Sequence, residues 1–319
     1  MSAPAIADRV ESLAGRHRRT AEPAGFVERP GGRRLAFAEL GDPAGLPLIY
    51  CHGFPSSRRE ALLLHPAAAA LGLRILAPDR PGYGASDHQP GRTIADWPAD
   101  VAALADHLDI ERFLLIGVSG GGPYALACAW RIPERIAACA LVCPLGPLYE
   151  PPLLGAMAWP SRLSLNLARR VPALAQLAYG GLTAAALARW PQSVDRLRAF
   201  AAPATDRTEL ARPEIRAILN ATIQDAMHRS ARGARRDLIL YTHVWGIPWE
   251  RIRIPIDLWH GEADGTVPVA HARWYAHRLP DCRAHLLPRE GHYSLPLRHA
   301  DAILATLRAA ADPVDASGR

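Results

Sequence analysis

Ser119 lies in Gly117-Val118-Ser119-Gly120-Gly121, directly after the apolar run Phe113–Val118 and just before a helical pattern from Pro123 onward. A serine between glycines at a strand-to-helix turn has the pattern of a nucleophile elbow. The tight turn thrusts the hydroxyl outward, and neighbours without a Cβ let strand and helix close around it. The Gly120 N–H is then placed at a helix start, aimed where an oxyanion develops. A hydroxyl nucleophile needs a general base. His292, in Glu290-Gly291-His292, follows the last strand-like run by a short loop and precedes the final helical pattern. That position puts it at the same sheet edge as Ser119. The base in turn needs a carboxylate to fix its tautomer. Asp264 lies in the loop of His260-Gly261-Glu262-Ala263-Asp264, just beyond the run Ile256–Trp259. The order Ser119, Asp264, His292 is the one this kind of sheet predicts for a catalytic triad. A second oxyanion donor is expected from His52-Gly53-Phe54-Pro55, where the Phe54 N–H would pair with that of Gly120.

Plainer readings compete at several positions. Glu262 stands closer to the strand end than Asp264 and is its rival, while residues 135–149 hold no Asp or Glu for the alternative acid position. His52 reads as a loop-holding residue. Asp79-Arg80-Pro81-Gly82-Tyr83-Gly84-Ala85-Ser86 reads as an ordered turn in the scaffold, with Tyr83, Phe54 and Tyr293 as candidate walls of a substrate pocket. The five cysteines (51, 128, 139, 143, 282) show no zinc or CxxC spacing, and Cys51 and Cys143 read as buried thiols. No His-Glu-x-x-His or similar pattern points to a metal, and nothing calls for a cofactor.

The elements that must position these residues are short apolar runs with turn residues beside them: Arg34–Glu39, Leu48–Cys51, Ile75–Ala77, Phe113–Val118, Ile136–Val142, Ile256–Trp259 and Ala284–Leu287. Helical patterns alternate with them at Arg59–Leu71, Ile94–Leu108, Tyr124–Arg131, Val269–Leu279 and His299–Ala311. Alternation of this kind predicts an α/β fold, a mostly parallel twisted sheet with helices on both faces. It stops near residue 146 and resumes at Ile256. The expected organisation is a polar arm over 1–25, a core over 26–146 and 250–312, a helical cap insertion over 147–249, and a tail over 313–319.

Composition narrows the class. Hydrophobic residues make up 49% and charged residues 21% of the 319, a mix that excludes disordered and fibrous classes. The net charge of +6 comes from arginine alone, since there is no lysine. The arginines are scattered among acids rather than forming the stripe a nucleic-acid surface needs. The uncharged stretch Val171–Ala188 contains Pro172, Gln176, Gly180 and Gly181, a poor membrane span. With no apparent signal peptide, a soluble cytoplasmic protein is expected, of unknown oligomeric state.

Taken in order, H-G-F-P, D-R-P-G-Y-G-x-S, G-V-S-G-G-G, G-E-x-D and G-H resemble the α/β-hydrolase fold superfamily, and its capped members most of all. The likeness covers about residues 25 to 311, but no motif falls in the insertion. Epoxide hydrolases and haloalkane dehalogenases of that superfamily place Asp at the elbow. Ser119 stands there in this chain, so the resemblance implies acyl transfer.

These residues predict a cofactor-independent serine hydrolase acting on a small to medium apolar ester. Aromatic side chains of the insertion (Trp159, Tyr179, Trp190, Phe200) are available to line an apolar pocket or to pack the cap. A C–C bond hydrolase, a thioesterase or another acyl-transfer enzyme would use the same core residues. A non-catalytic ligand receptor on the same fold is a different class of reading, and membrane association through the insertion a third.

Overall fold

The computed structural model describes residues 22–178 and 202–311. One eight-stranded sheet runs through it: β1 (Gly25–Arg29), β2 (Arg33–Gly41), β3 (Leu46–Cys51), β4 (Leu73–Pro78), β5 (Phe113–Val118), β6 (Ile136–Val142), β7 (Ile256–Gly261) and β8 (Cys282–Leu287). The spatial order is β1-β2-β4-β3-β5-β6-β7-β8. β2 pairs antiparallel with β1 and β4, and all other neighbours are parallel. Every residue of β5 and β7 is buried. Leu114 and Ile116 join the core that contains Ala68 and Leu304, on the helices His65–Ala70 and Ala300–Ala309. Phe113 and Leu115 point the other way, into the core built with Trp97, Ala125 and Ala272. This period of two, apolar on both faces, is the reason the strands read as continuous hydrophobic runs.

Each of the seven apolar runs lies within a strand, and the α/β architecture is the one adopted. β1 is the exception to the sequence reading. Only Val27 among its five residues is buried, so an edge strand of Phe26, Glu28 and Arg29 carries no apolar run to find. Two helical patterns also start differently from expectation. Arg58–Leu64 and Ile94–Asp96 are 3-10 turns, and the α-helices begin only at His65 and Trp97, each with a proline in its first turn. Proline lacks the N–H that would continue a preceding turn but is tolerated where a helix opens.

Between β6 and β7 the described residues form six α-helices, a 3-10 turn (Trp249–Arg251) and no strand; the α-helices are Pro151–Ala156, Trp159–Arg170, Pro172–Ala178, Ala204–Leu210, Pro213–His228 and Arg232–Leu240. Trp159 is exposed on the second of them. Tyr179, Trp190 and Phe200, most of the Val171–Ala188 stretch, the arm up to residue 21 and the tail 313–319 lie outside the described residues. No described helix is long and apolar enough to cross a membrane.

Buried charges join these helices to the sheet. Asp237, on Arg232–Leu240, pairs with Arg80 at 3.0 Å and Arg92 at 2.6 Å, and all three side chains are at most 2% exposed. Tyr83 and Tyr124 donate their hydroxyls to the same carboxylate. Arg58 lies between Asp79 of the core and Asp225 on Pro213–His228, both at 2.7 Å. Burial alone would raise the pKa of Asp237, but the Arg92 and Arg80 guanidiniums outweigh it and hold it down to about 2. Its stabilisation is therefore complete above the ordinary Asp value of about 3.9 and is lost as pH falls toward the folded value.

Asp237→Ala would leave two buried guanidiniums without their acid. It is expected to cost about 3–5 kcal/mol in a urea titration at neutral pH; a loss below about 1 kcal/mol would show that these ion pairs are not what holds the helix Arg232–Leu240 to the core.

Candidate active site

Ser119 leaves the end of β5 with φ +54, a left-handed conformation a non-glycine residue adopts only when its surroundings enforce it. A 3-10 turn over Ser119–Gly121 leads into the helix Gly122–Arg131. The enforcing contacts are local and tertiary. The Leu145 N–H, from the loop after β6, donates to the Ser119 carbonyl at 2.9 Å. A Cβ on Gly121 would sit 2.1 Å from the Cys51 carbonyl oxygen at the end of β3, so only glycine lets the turn close on that strand.

The three residues singled out for a triad come together at this edge. His292 Nε2 is 3.1 Å from Ser119 Oγ, and His292 Nδ1 is 2.7 Å from Asp264 Oδ2. A carboxylate only accepts, so the Nδ1 proton points at Asp264, and the Nε2 lone pair faces the serine hydroxyl. The other Asp264 oxygen takes the N–H groups of Thr266 and Val267, both at 2.8 Å. Burial opposes charge on Asp264, but the His292 charge and hydrogen bond outweigh it and lower its pKa. For His292, burial lowers the pKa, but Asp264, then Asp206 and Glu60, outweigh it and raise it. Glu262, the rival acid, points away to Arg273 at 3.0 Å.

The turn after β3 lies against the elbow. A Cβ on Gly120 would be 2.6 Å from the Phe54 Cβ, so the two residues expected to share an oxyanion are in contact. His52 holds this turn, as its sequence context predicts. The Arg80 N–H donates to its Nε2 at 3.2 Å, leaving Nδ1–H to donate to the Gly53 carbonyl at 3.0 Å. The Arg80 guanidinium donates to the carbonyls of both His52 and Gly53. Tyr241, at the end of Arg232–Leu240, donates its hydroxyl to the Gly120 carbonyl at 2.8 Å. Glu60 accepts the Gly53 N–H at 2.5 Å. Its pKa is raised, because burial outweighs the Gly53 hydrogen bond and the Arg80 charge.

Ser119 opens onto a cavity of about 100 Å³. Leu63, Ile116, Val142, Leu219, Ile223 and Leu297 form its apolar wall, while Glu60, Ser56 and Thr222 supply polar groups. Phe54 and Tyr293, two of the candidate pocket residues, line this cavity. Tyr83 is not part of the wall. It is fully buried, edge-on to His52 at 5.1 Å, and its hydroxyl is committed to Asp237. Cys51 and Cys143 are buried thiols. Cys143, however, brings its sulfur within 4.8 Å of ligand atoms of Asp264 and His292, a proximity no local pattern announced. Burial and then the Asp264 charge push its thiol well above the usual range, so it stays protonated, unlike the thiolate a metal requires.

Glu60, Asp206, Asp237 and Tyr241 escaped the sequence reading. None stands in a local motif, and each reaches the site only through tertiary contact.

A model of the family described as alpha/beta hydrolase fold matches residues 47–298. The dihydrolipoyllysine-residue acetyltransferase component of an acetoin cleaving system from Pseudomonas putida is 40% identical over 125 residues, 39% of this chain and 34% of the relative. The chain thus spans about a third of that relative's length. A pimeloyl-[acyl-carrier protein] methyl ester esterase from Aromatoleum aromaticum is 28% identical over 252 residues, 77% of this chain and 90% of that one. Among solved structures, an esterase from Exiguobacterium antarcticum superposes with a TM-score of 0.65 at 17% identity, covering 90% of this chain and 98% of its own.

Gly121→Ala tests the close approach at the elbow. Its methyl group would meet backbone, which cannot move aside cheaply, so a loss of about 1–3 kcal/mol is expected in chemical denaturation. A variant as stable as the parent would show that the turn does not depend on that approach.

Proposed function

The chain belongs to the α/β-hydrolase fold family, and from that premise we propose that it is a serine hydrolase of carboxylic esters. The observation that carries the reading is the hydrogen-bonded chain Ser119 Oγ–His292 Nε2–His292 Nδ1–Asp264 Oδ2, at 3.1 and 2.7 Å, opening onto a mainly apolar cavity. As the hydroxyl attacks an ester carbonyl, His292 takes its proton on Nε2, and Asp264 stabilises the imidazolium without itself being protonated. The Phe54 and Gly120 N–H groups stabilise the tetrahedral oxyanion. His292 then passes the proton to the leaving alcohol, and an acyl-enzyme remains on Ser119. Water, deprotonated by His292, attacks the acyl carbon. The second tetrahedral intermediate collapses to release the acid and restore the Ser119 hydroxyl.

The helices between β6 and β7 act as a cap over this edge: Leu219, Thr222 and Ile223, all on Pro213–His228, form part of the cavity wall. A volume near 100 Å³ is far below the roughly 300–1,000 Å³ of pockets for drug-sized ligands. The substrate is therefore an ester with a short, mostly apolar acyl or alcohol group.

Ser119→Ala is expected to lower kcat by about 10⁴- to 10⁶-fold with the fold intact. Near-parent turnover of a substrate ester by this variant would refute the nucleophile. In a p-nitrophenyl ester series, activity should be highest for acetate to butyrate and fall at least about tenfold by octanoate, as the chain outgrows the cavity. A peak at octanoate would contradict the short-substituent reading. The general base works only when neutral, and His292 is held above the ordinary histidine value, by charges that outweigh its burial. The pH profile of kcat/KM should therefore rise with pH through an apparent pKa above about 6.5; a limb below that value would contradict the electrostatics.

A further inference from the structure

We propose that Asp206, on the helix Ala204–Leu210 between β6 and β7, is a positioning residue for His292, fixing the loop that carries the imidazole and adding a second acid beside it. The inference rests on the serine-hydrolase reading of Ser119, Asp264 and His292.

Asp206 is 1% exposed, and its carboxylate is spent on three consecutive backbone donors. Oδ2 accepts the His292 N–H at 2.9 Å, and Oδ1 accepts the N–H groups of Tyr293 and Ser294 at 3.0 and 2.8 Å. These donors open the short helix Ser294–Arg298, where N–H groups have no partner within the helix itself. A neighbouring Ser, Thr, Asp or Asn usually caps such a start. Ser294 does not, because its hydroxyl accepts the Gly291 N–H at 2.8 Å. The cap comes instead from a helix more than eighty residues earlier in the chain. Gly291 shows how closely it approaches: a Cβ there would lie 2.4 Å from Asp206 Oδ1. The glycine beside the histidine therefore makes room for a carboxylate.

The same contact places charge beside the imidazole. The groups facing His292 are Asp264 on Nδ1, Asp206 beneath its backbone, Glu60 from the turn after β3, Cys143 at the end of β6, His260 across Asp264, and Tyr293 edge-on at 5.4 Å. Asp264, Asp206 and Glu60 favour the imidazolium. Burial keeps His260 neutral and Cys143 protonated. Removing Asp206 thus takes one of three acids from the set and frees the loop that aims Nε2 at Ser119.

The helix has another tie to this region, which supplies the control. Glu209 pairs with Arg298 at 2.7 Å and with Arg212 at 3.0 Å, without touching the His292 backbone. A residue that merely docks the helix would be matched in effect by Glu209. A residue that positions His292 would not.

The test compares the parent chain with Asp206→Asn, Gly291→Ala and Glu209→Gln. Readouts are the His292 imidazole titration by NMR, the rate of Ser119 labelling by a fluorophosphonate, and steady-state kinetics on a short-chain ester. Asp206→Asn is expected to titrate His292 at lower pH, and to slow labelling and kcat by about 10- to 100-fold, with KM little changed. Gly291→Ala, whose methyl group displaces the carboxylate, should reproduce both effects even if Asp206→Asn does not fold. Glu209→Gln should match the parent. Parent-like titration and labelling in folded Asp206→Asn or Gly291→Ala would overturn the proposal. So would an equal loss in Glu209→Gln. The imidazole titration needs no turnover, so a parent that neither labels nor cleaves esters would refute the hydrolase reading and leave the Asp206 test to be read from NMR.

Discussion

An imidazole that takes a proton from a serine must be neutral, hold its own proton on the far nitrogen, and point its lone pair at the hydroxyl. In this chain the last two conditions meet in the 2.7 Å contact between His292 Nδ1 and Asp264 Oδ2, which fixes both the tautomer and the direction of the ring. Asp264 tolerates burial because its second oxygen is occupied by two backbone N–H groups and its first by the imidazole. Without those donors a buried carboxylate would be protonated and of no use as an orienting charge. The strained backbone of Ser119 sets the other end of the line. Its φ of +54 persists because the Leu145 N–H and the Gly121–Cys51 approach leave the turn no other course.

Acids from the helices between β6 and β7 extend this arrangement. Asp237 neutralises Arg80, which in turn donates to the His52 and Gly53 carbonyls behind the expected oxyanion donors. Asp225 shares Arg58 with Asp79 just after that turn. Asp206 holds the loop of His292. Three acids of these helices therefore grip three loops of the sheet edge, each through hydrogen bonds to a buried charge or backbone. The contacts of Asp237 and Asp206 are costly to break, because each would leave buried donors without an acceptor, whereas Arg58 would keep Asp79 if Asp225 were lost. A segment that carries no recognisable motif is in this way tied to both the turn after β3 and the histidine loop of the candidate site.

Much of the candidate site is legible in the sequence, because the turn at Ser119, the turn after β3 and the loops after β7 and β8 are local devices. Gly117-Val118-Ser119-Gly120-Gly121 is a turn specified by five adjacent residues, and Asp264 and His292 each follow a strand by a few positions. Short, mostly apolar runs between turn signals predict seven strands, since a strand buried on both faces is mainly apolar, though β7 buries Asp257 and His260 as well. β1 stayed hidden because it buries one residue of five and its pairing with β2 supplies what its composition does not.

Which distant groups share an environment is settled by packing across the fold. Tyr83 sits in a turn rich in glycine and proline, yet its hydroxyl goes to Asp237 and the ring takes no part in the cavity wall. Cys143 follows a strand with no base beside it in sequence, and folding sets its sulfur next to Asp264. Gly291 reads as a turn glycine, whereas the space it leaves is filled by Asp206. Local sequence determined the turns and strands, because these depend on backbone conformation and side chains a few residues apart. The partners of buried charges were settled by packing, because electrostatic and steric complementarity act through space and take no account of separation along the chain.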